Sequence, residues 1–275
     1  MGLREPMKRK RRILDPGSYS IRAVQRAVAV LSCFSFERQR VTLGDFAQLT
    51  DLSKPTLFRI LQTLERDRFV SYDEESHSYS LGMKILELGR VAFRSHNLNA
   101  VASRFLDALA SKSRYPVGMA VMSDGEIVFV DQRKGTEHVQ LFGTDIGKRR
   151  PPHFGVHGLV HMAYLPEEEV DRLLRKYPLV KLASGSITDL VLFRQKLREV
   201  REKGYGYEES GVVEGLIAVG APIWNHRGTV IASVETVLPS ALTNPEKKQR
   251  MIKLVLEAAK GISEGLGFSE GGKRK

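Results

Sequence analysis

Residues 41–61 read Val41-Thr42-Leu43-Gly44-Asp45-Phe46-Ala47-Gln48-Leu49-Thr50-Asp51-Leu52-Ser53-Lys54-Pro55-Thr56-Leu57-Phe58-Arg59-Ile60-Leu61, and this stretch decides the fold of the first part of the chain. Thr42 and Asp45 stand in the spacing of a capping box, so a short helix begins there. Thr50-Asp51-Leu52 makes a tight corner. Ser53 is placed to cap a further helix whose Pro55 falls in the first turn, where no backbone N–H is needed. Leu57, Ile60, Leu61 and Leu64 form its inward stripe. Its opposite side carries Lys54, Thr56, Arg59, Gln62, Thr63 and Arg66, a set rich in groups that hydrogen-bond phosphates and base edges.

Upstream, Ile21, Val24, Val28, Leu31 and Phe34 recur at helical spacing and predict a first helix from about Ser20 to Phe36. Downstream, Phe69-Val70-Ser71-Tyr72, a polar turn at Asp73 to Ser76, and Tyr79-Ser80-Leu81 suggest a two-stranded wing. Three short helices and a hairpin describe a winged helix-turn-helix; the plainer reading is a small helical domain with solvated faces. Inserted in a major groove, the third helix brings Thr56 and Arg59 nearest base edges, with Lys54, Arg26 and the wing residue His77 on phosphates.

From Met83 a linker helix runs to about Asn97, and Leu98, Val101, Phe105 and Leu109 open a second domain. Two hairpins are expected there. One turns at Ser123-Asp124-Gly125 and the other at Asn225 to Gly228, between the apolar runs Ile217 to Trp224 and Thr229 to Val237. Helical stretches lie near Phe154 to Tyr164, Glu167 to Lys176 and Leu190 to Lys203, and Pro245 opens a last helix. Hairpins and helices without strict alternation argue for an α+β domain with an antiparallel sheet. The expected division is a basic disordered arm at 1–19, the winged domain at 20–82, the linker at 83–99, the second domain at 100–268 and a tail at 269–275.

A length of 275 residues favours two domains. The 42% hydrophobic, 8% aromatic and 27% charged shares suit a globular protein and exclude collagen-like and low-complexity chains. No run nears the roughly 18 to 20 apolar residues that span a bilayer, and residues 1–12 hold no apolar segment of a signal peptide. A cytoplasmic protein without membrane contact is expected. Cys33 is the single cysteine, which excludes an internal disulfide and Cys-based metal clusters. The 43 Lys and Arg against 32 Asp and Glu leave +11, a balance that attracts polyanions. Six of those basic side chains crowd residues 4–12, opposed by Glu5 alone, so much of the excess belongs to an arm suited to nonspecific phosphate contact.

The chain lacks H-E-x-x-H, G-x-G-x-x-G and G-x-x-x-x-G-K-[ST], so no enzyme is expected. One chemical anomaly stands out: His153, His157 and His161 repeat at four-residue intervals. On a helix that spacing aligns them on one face, where two imidazoles can share a divalent metal; the plainer reading is ordinary hydrogen bonding. No cofactor is otherwise called for.

Several separated motifs resemble the IclR family of bacterial transcriptional regulators, over roughly residues 20–270. Arg26-Ala27-Val28-Ala29-Val30-Leu31 resembles its first-helix signature, Leu52 to Leu61 its recognition-helix opening, and Tyr79-Ser80-Leu81-Gly82 the end of its wing. In the second half Asp124-Gly125-Glu126, Val130-Asp131, the loop Gly147 to His153, Ile187-Thr188-Asp189, Glu208-Glu209 and Ala221-Pro222-Ile223 follow in family order. The resemblance implies a GAF-like effector-binding second domain, a homodimer or tetramer, and a palindromic double-stranded DNA operator. It also implies an effector pocket that includes His153, His157, Glu208, Leu216, Ala218, Glu235 and Val237. Pro55 stands where the family usually has Ser, and Ala218, Glu235 and Val237 replace its usual Cys and small hydroxyl residues. Glu208 and Glu235 in one pocket select a cationic or hydrogen-bond-donating effector, or help the histidines hold a metal. The expected function is a sequence-specific regulator whose operator affinity is set by a small-molecule effector. The second reading is a ligand- or metal-sensing partner protein with a degenerate DNA-binding domain.

Overall fold

The computed structural model describes residues 21–95, 98–137, 139 and 145–269, so the basic arm expected at 1–19 and nearly all of the expected tail lie outside the described residues. The chain divides into two compact units, Met1–Phe93 and Arg94–Lys275.

In the first unit α1 (Arg22–Leu31), β1 (Val41–Thr42), α2 (Leu43–Thr50), α3 (Lys54–Arg66), β2 (Val70–Asp73) and β3 (Ser78–Leu81) precede α4 (Met83–Ser95). The capping box forms as read: the Asp45 N–H donates to Thr42 Oγ1 and the Thr42 N–H to Asp45 Oδ2. Asp51, in the left-handed region at φ 54°, ends α2 and sets the corner before α3. The cap expected of Ser53 is corrected: its hydroxyl makes no bond to the helix backbone and pairs instead with the Thr56 hydroxyl at 3.0 Å. The first helix stops at Leu31 rather than Phe36, yet Phe34 stays in the core, its ring centroid 5.6 Å from that of Phe46. Phe46, Leu57, Leu61, Val41 and Val30 are fully buried and hold the three helices on the wing. β1 adds a strand to that wing, giving the order β1-β3-β2.

The second unit runs α5 (Leu98–Ser113), β4 (Val117–Ser123), β5 (Glu126–Arg133), β6 (Arg149–Arg150), α6 (Gly155–Ala163), α7 (Glu167–Lys176), α8 (Leu190–Lys203), β7 (Gly206–Glu209), β8 (Leu216–Trp224), β9 (Val230–Pro239) and α9 (Pro245–Gly265). Both expected hairpins form, the first through Asp124 and Gly125 at φ 55° and 77°, the pair of left-handed residues that a tight two-residue turn needs. β4 pairs with β9 and joins the two hairpins into one antiparallel sheet of order β6-β5-β4-β9-β8-β7.

Side chains alternate between the two faces of this sheet. Val117, Met119, Ile217, Val219, Val234 and Leu238 pack with α5 and α9 in one core. On the other face lie Gly118, Ala120, Ala218, Gly220, Glu235 and Val237, under α6. That helix comes close because Gly206 and Gly220 lack side chains: a Cβ on Gly206 would stand 2.7 Å from Val156 Cγ2, and one on Gly220 3.0 Å from Val156 Cγ1. α7 and α8 close the second core over α6 through Leu173, Leu174, Phe193 and Leu197.

Candidate functional site

The first candidate surface is the outer face of α3. Lys54, Arg59, Gln62 and Thr63 are exposed there, with Thr56 half-buried beside them. Among the described residues no ion pair engages the side chains of Lys54, Arg59 or Arg26, so these cations are not committed to structural partners. Arg26 is exposed on α1, and Ser53 at the start of α3. His77 sits at the wing turn with φ 47°, its Nδ1 2.9 Å from the Tyr72 hydroxyl. The wing itself is braced by the Arg40–Asp73 ion pair, which holds the Asp73 carboxyl down near 2. A helix presenting long donors beside a rigid two-sided turn can lie in a major groove while the turn meets the backbone.

The second candidate is a cavity under α6, about 530 Å³ of space not filled by atoms, part of it open to solvent. Its polar end is formed by His157, Glu208 and Glu235, and Leu216, Ala218 and Val237 line it as well. Register explains the grouping. Glu208 faces Ala218, which faces Val237, in one row across β7, β8 and β9, and Glu235 lies two residues along the same face. Of the seven residues assigned to a pocket from the sequence, six therefore line one cavity and His153 does not. Sequence reasoning missed Phe129, Phe154, Val156, Val212 and Val213, which supply most of the apolar wall. The alternation along β9 also places Ser233 on the face of Glu235, a signal present in the sequence.

His157 is 2% exposed and Glu235 6%. His157 Nδ1 lies 2.7 Å from Ser233 Oγ. Its Nε2 is 3.2 Å from Glu235 Oε1 without the alignment of a hydrogen bond, so this buried nitrogen has no hydrogen-bond partner. Burial, reinforced by the charge of Glu235 and opposed by Lys196, pushes the Glu208 carboxyl up to about 8. A Cβ on Gly211 would stand 2.8 Å from Glu208 Oε1, so the loop after β7 hugs the carboxyl.

The three-histidine face is corrected. α6 begins at Gly155, so His153 precedes the helix and its Nε2 donates to the Pro178 carbonyl at 3.1 Å. His161 is buried against the Ala120 carbonyl at 3.3 Å, and burial with the nearby His157 lowers it to about 4. Among the described residues no group of three or more His, Cys, Asp or Glu is placed to hold a metal ion.

Two family descriptions match the chain: "IclR helix-turn-helix domain" over residues 23–74 and "Bacterial transcriptional regulator IclR C-terminal" over residues 91–264. The HTH-type transcriptional regulator KipR of Bacillus subtilis (strain 168) is 27% identical over 90% of this chain and 98% of its own length. The crystal structure of a regulator from Alicyclobacillus acidocaldarius aligns with a TM-score of 0.80 at 27% identity, covering 91% of this chain and 100% of that one. A homologue from Microbacterium hydrocarbonoxydans, solved in complex with 4-hydroxybenzoate, aligns with a TM-score of 0.79 at 24% identity, covering 89% and 98%.

Proposed function

The chain belongs to the IclR family of bacterial transcriptional regulators, and from that membership we propose how its own residues divide the work of a DNA-binding regulator with a C-terminal effector-binding domain. Thr56 and Arg59 read base edges, Gln62 and Thr63 extend that face, and Ser53, Lys54, Arg26 and His77 hold phosphates. The observation that carries this is the uncommitted polar face of α3 beside the wing. Arg59→Ala tests it: a reader of bases loses about 1–3 kcal/mol on the cognate duplex and little on a scrambled one. Equal losses on both sequences would move Arg59 to the phosphates.

The cavity under α6 is the effector site, with His157, Glu208, Leu216, Ala218, Glu235 and Val237 in contact with the ligand. Effector binding shifts operator affinity by a coupling of about 1–3 kcal/mol. The regulator works as a homodimer, or as a pair of dimers, on two half-sites about one helical turn apart. Ile21, just before α1, and Val24 and Val28 on it are 68%, 57% and 56% exposed, which supports a second copy covering that stripe. Light scattering on wild type and Val28→Glu tests the assembly; a monomeric wild type would refute it. Among the described residues no helix is long and apolar enough to cross a membrane. A cytoplasmic location follows from the need to reach DNA. The alternative of a degenerate DNA-binding domain is not favoured, because the helix-turn-helix and its wing are complete.

A further inference from the structure

We propose that the cavity under α6 selects an organic cation: a protonated amine on a compact apolar body, with its ammonium between the carboxylates of Glu208 and Glu235. The inference rests on reading this cavity as the effector site. Both carboxylates line it, and among the described residues no Lys or Arg does. Glu235 is 6% exposed and, among the described residues, its carboxyl accepts no hydrogen bond. A buried carboxylate in that state is costly, and a ligand that brings donors removes the cost. His157 supplies a second, independent pointer. When its Nδ1 donates to Ser233 Oγ, the partnerless Nε2 is left as an acceptor at the cavity wall. An ammonium carries three N–H donors, and the polar end of the cavity presents three acceptor groups: Glu208, Glu235 and His157 Nε2. An anion brings no such donors to the same place. The remaining wall, including Phe129, Val212 and Val237, is apolar and suits a hydrocarbon body.

The charged and titratable groups around Glu208 come from several elements. Glu235 faces it from β9, His157 from α6 and Lys196 from α8, while the Arg150 guanidinium lies 5.0 Å over the Phe154 ring. With Glu208 pushed up to about 8, the empty pocket holds a proton there at neutral pH. An arriving ammonium displaces that proton to solvent, so binding releases close to one proton per ligand.

Calorimetry on the full chain near neutral pH tests this with three probes that share a ring and differ in charge: benzylamine, benzyl alcohol and benzoate. Benzylamine is expected to bind about tenfold or more tighter than benzyl alcohol, with benzoate weakest. Glu235→Gln should remove most of the preference for benzylamine over benzyl alcohol. Titrations of the wild type in buffers of different ionisation heat should show the released proton, and they need no variant. Benzoate binding as tight as benzylamine, and abolished by Val237→Trp, overturns the cation assignment while leaving the cavity as the effector site. Absence of benzylamine binding up to about 10 mM overturns the assignment outright.

Discussion

Replacing Glu208 by Gln should remove a large part of the alkaline loss of stability of the second unit. Burial raises the Glu208 carboxyl from 4.5 to about 8 in the folded protein. Above the unfolded value the unfolded chain has released this proton while the native state still holds it, so stability falls as pH rises and levels off beyond the folded value. The shift corresponds to at most about 5 kcal/mol over the whole transition. Because Glu208 as a residue is half-buried and the cavity opens to solvent, water reduces the loss to about 2–3 kcal/mol between about pH 4.5 and 8. The assay is urea unfolding followed by the fluorescence of Trp224, the single tryptophan, which contacts the rings of Tyr164 and Phe268 at 4.7 and 5.8 Å. In Glu208→Gln the side chain never ionises, so the stability difference between variant and wild type should grow by that amount across the window. Curves that stay parallel within about 0.5 kcal/mol would show that the folded-state carboxyl titrates normally and refute the reasoning.

His161 works in the opposite direction: lowered to about 4, it stays neutral in the fold, and its contribution is lost as pH falls from 6.5 toward 4. His161→Gln should flatten that acid limb by up to about 3 kcal/mol, measured by the same unfolding curves. Gly206→Ala places a methyl 2.7 Å from Val156 Cγ2 and should cost about 1–2 kcal/mol, with Val156→Ala in the same chain restoring part of it; additive losses in the double-mutant cycle would argue against the contact. Lys54→Ala should weaken binding to every duplex alike and lower the slope of log affinity against log salt by about one, read by anisotropy.

The helix-turn-helix was legible because its determinants are local. The capping box, the corner at Asp51, Pro55 in the first turn of α3 and the leucine stripe act within one or two turns of chain. The two hairpins were legible for the same reason, through Asp124-Gly125 and Asn225 to Gly228. What joins them was not: Val117 pairs with Thr236 across more than a hundred residues, and no local pattern marks such a partner. β7 was missed because Gly206-Tyr207-Glu208-Glu209 is short and has no β-branched residue. The histidine repeat misled because spacing shows alignment only once the start of the helix is known, and Gly155, at φ 60°, sets that start two residues after His153. Ser53 misled because Thr56 offers its hydroxyl a competing partner. The polar end of the cavity was within reach of the family resemblance. Its walls at Val212 and Val213 depend on how the loop after β7 folds back over Glu208.

The central claim is that α3 and the wing read a particular DNA sequence. The most direct measurement is anisotropy of the full chain on the duplex upstream of its own gene and on a scrambled duplex, across a salt series. A preference of about a thousandfold or more for the upstream duplex is the predicted result. Equal, steeply salt-dependent affinity for the two would assign the binding to phosphate contact alone and contradict the account.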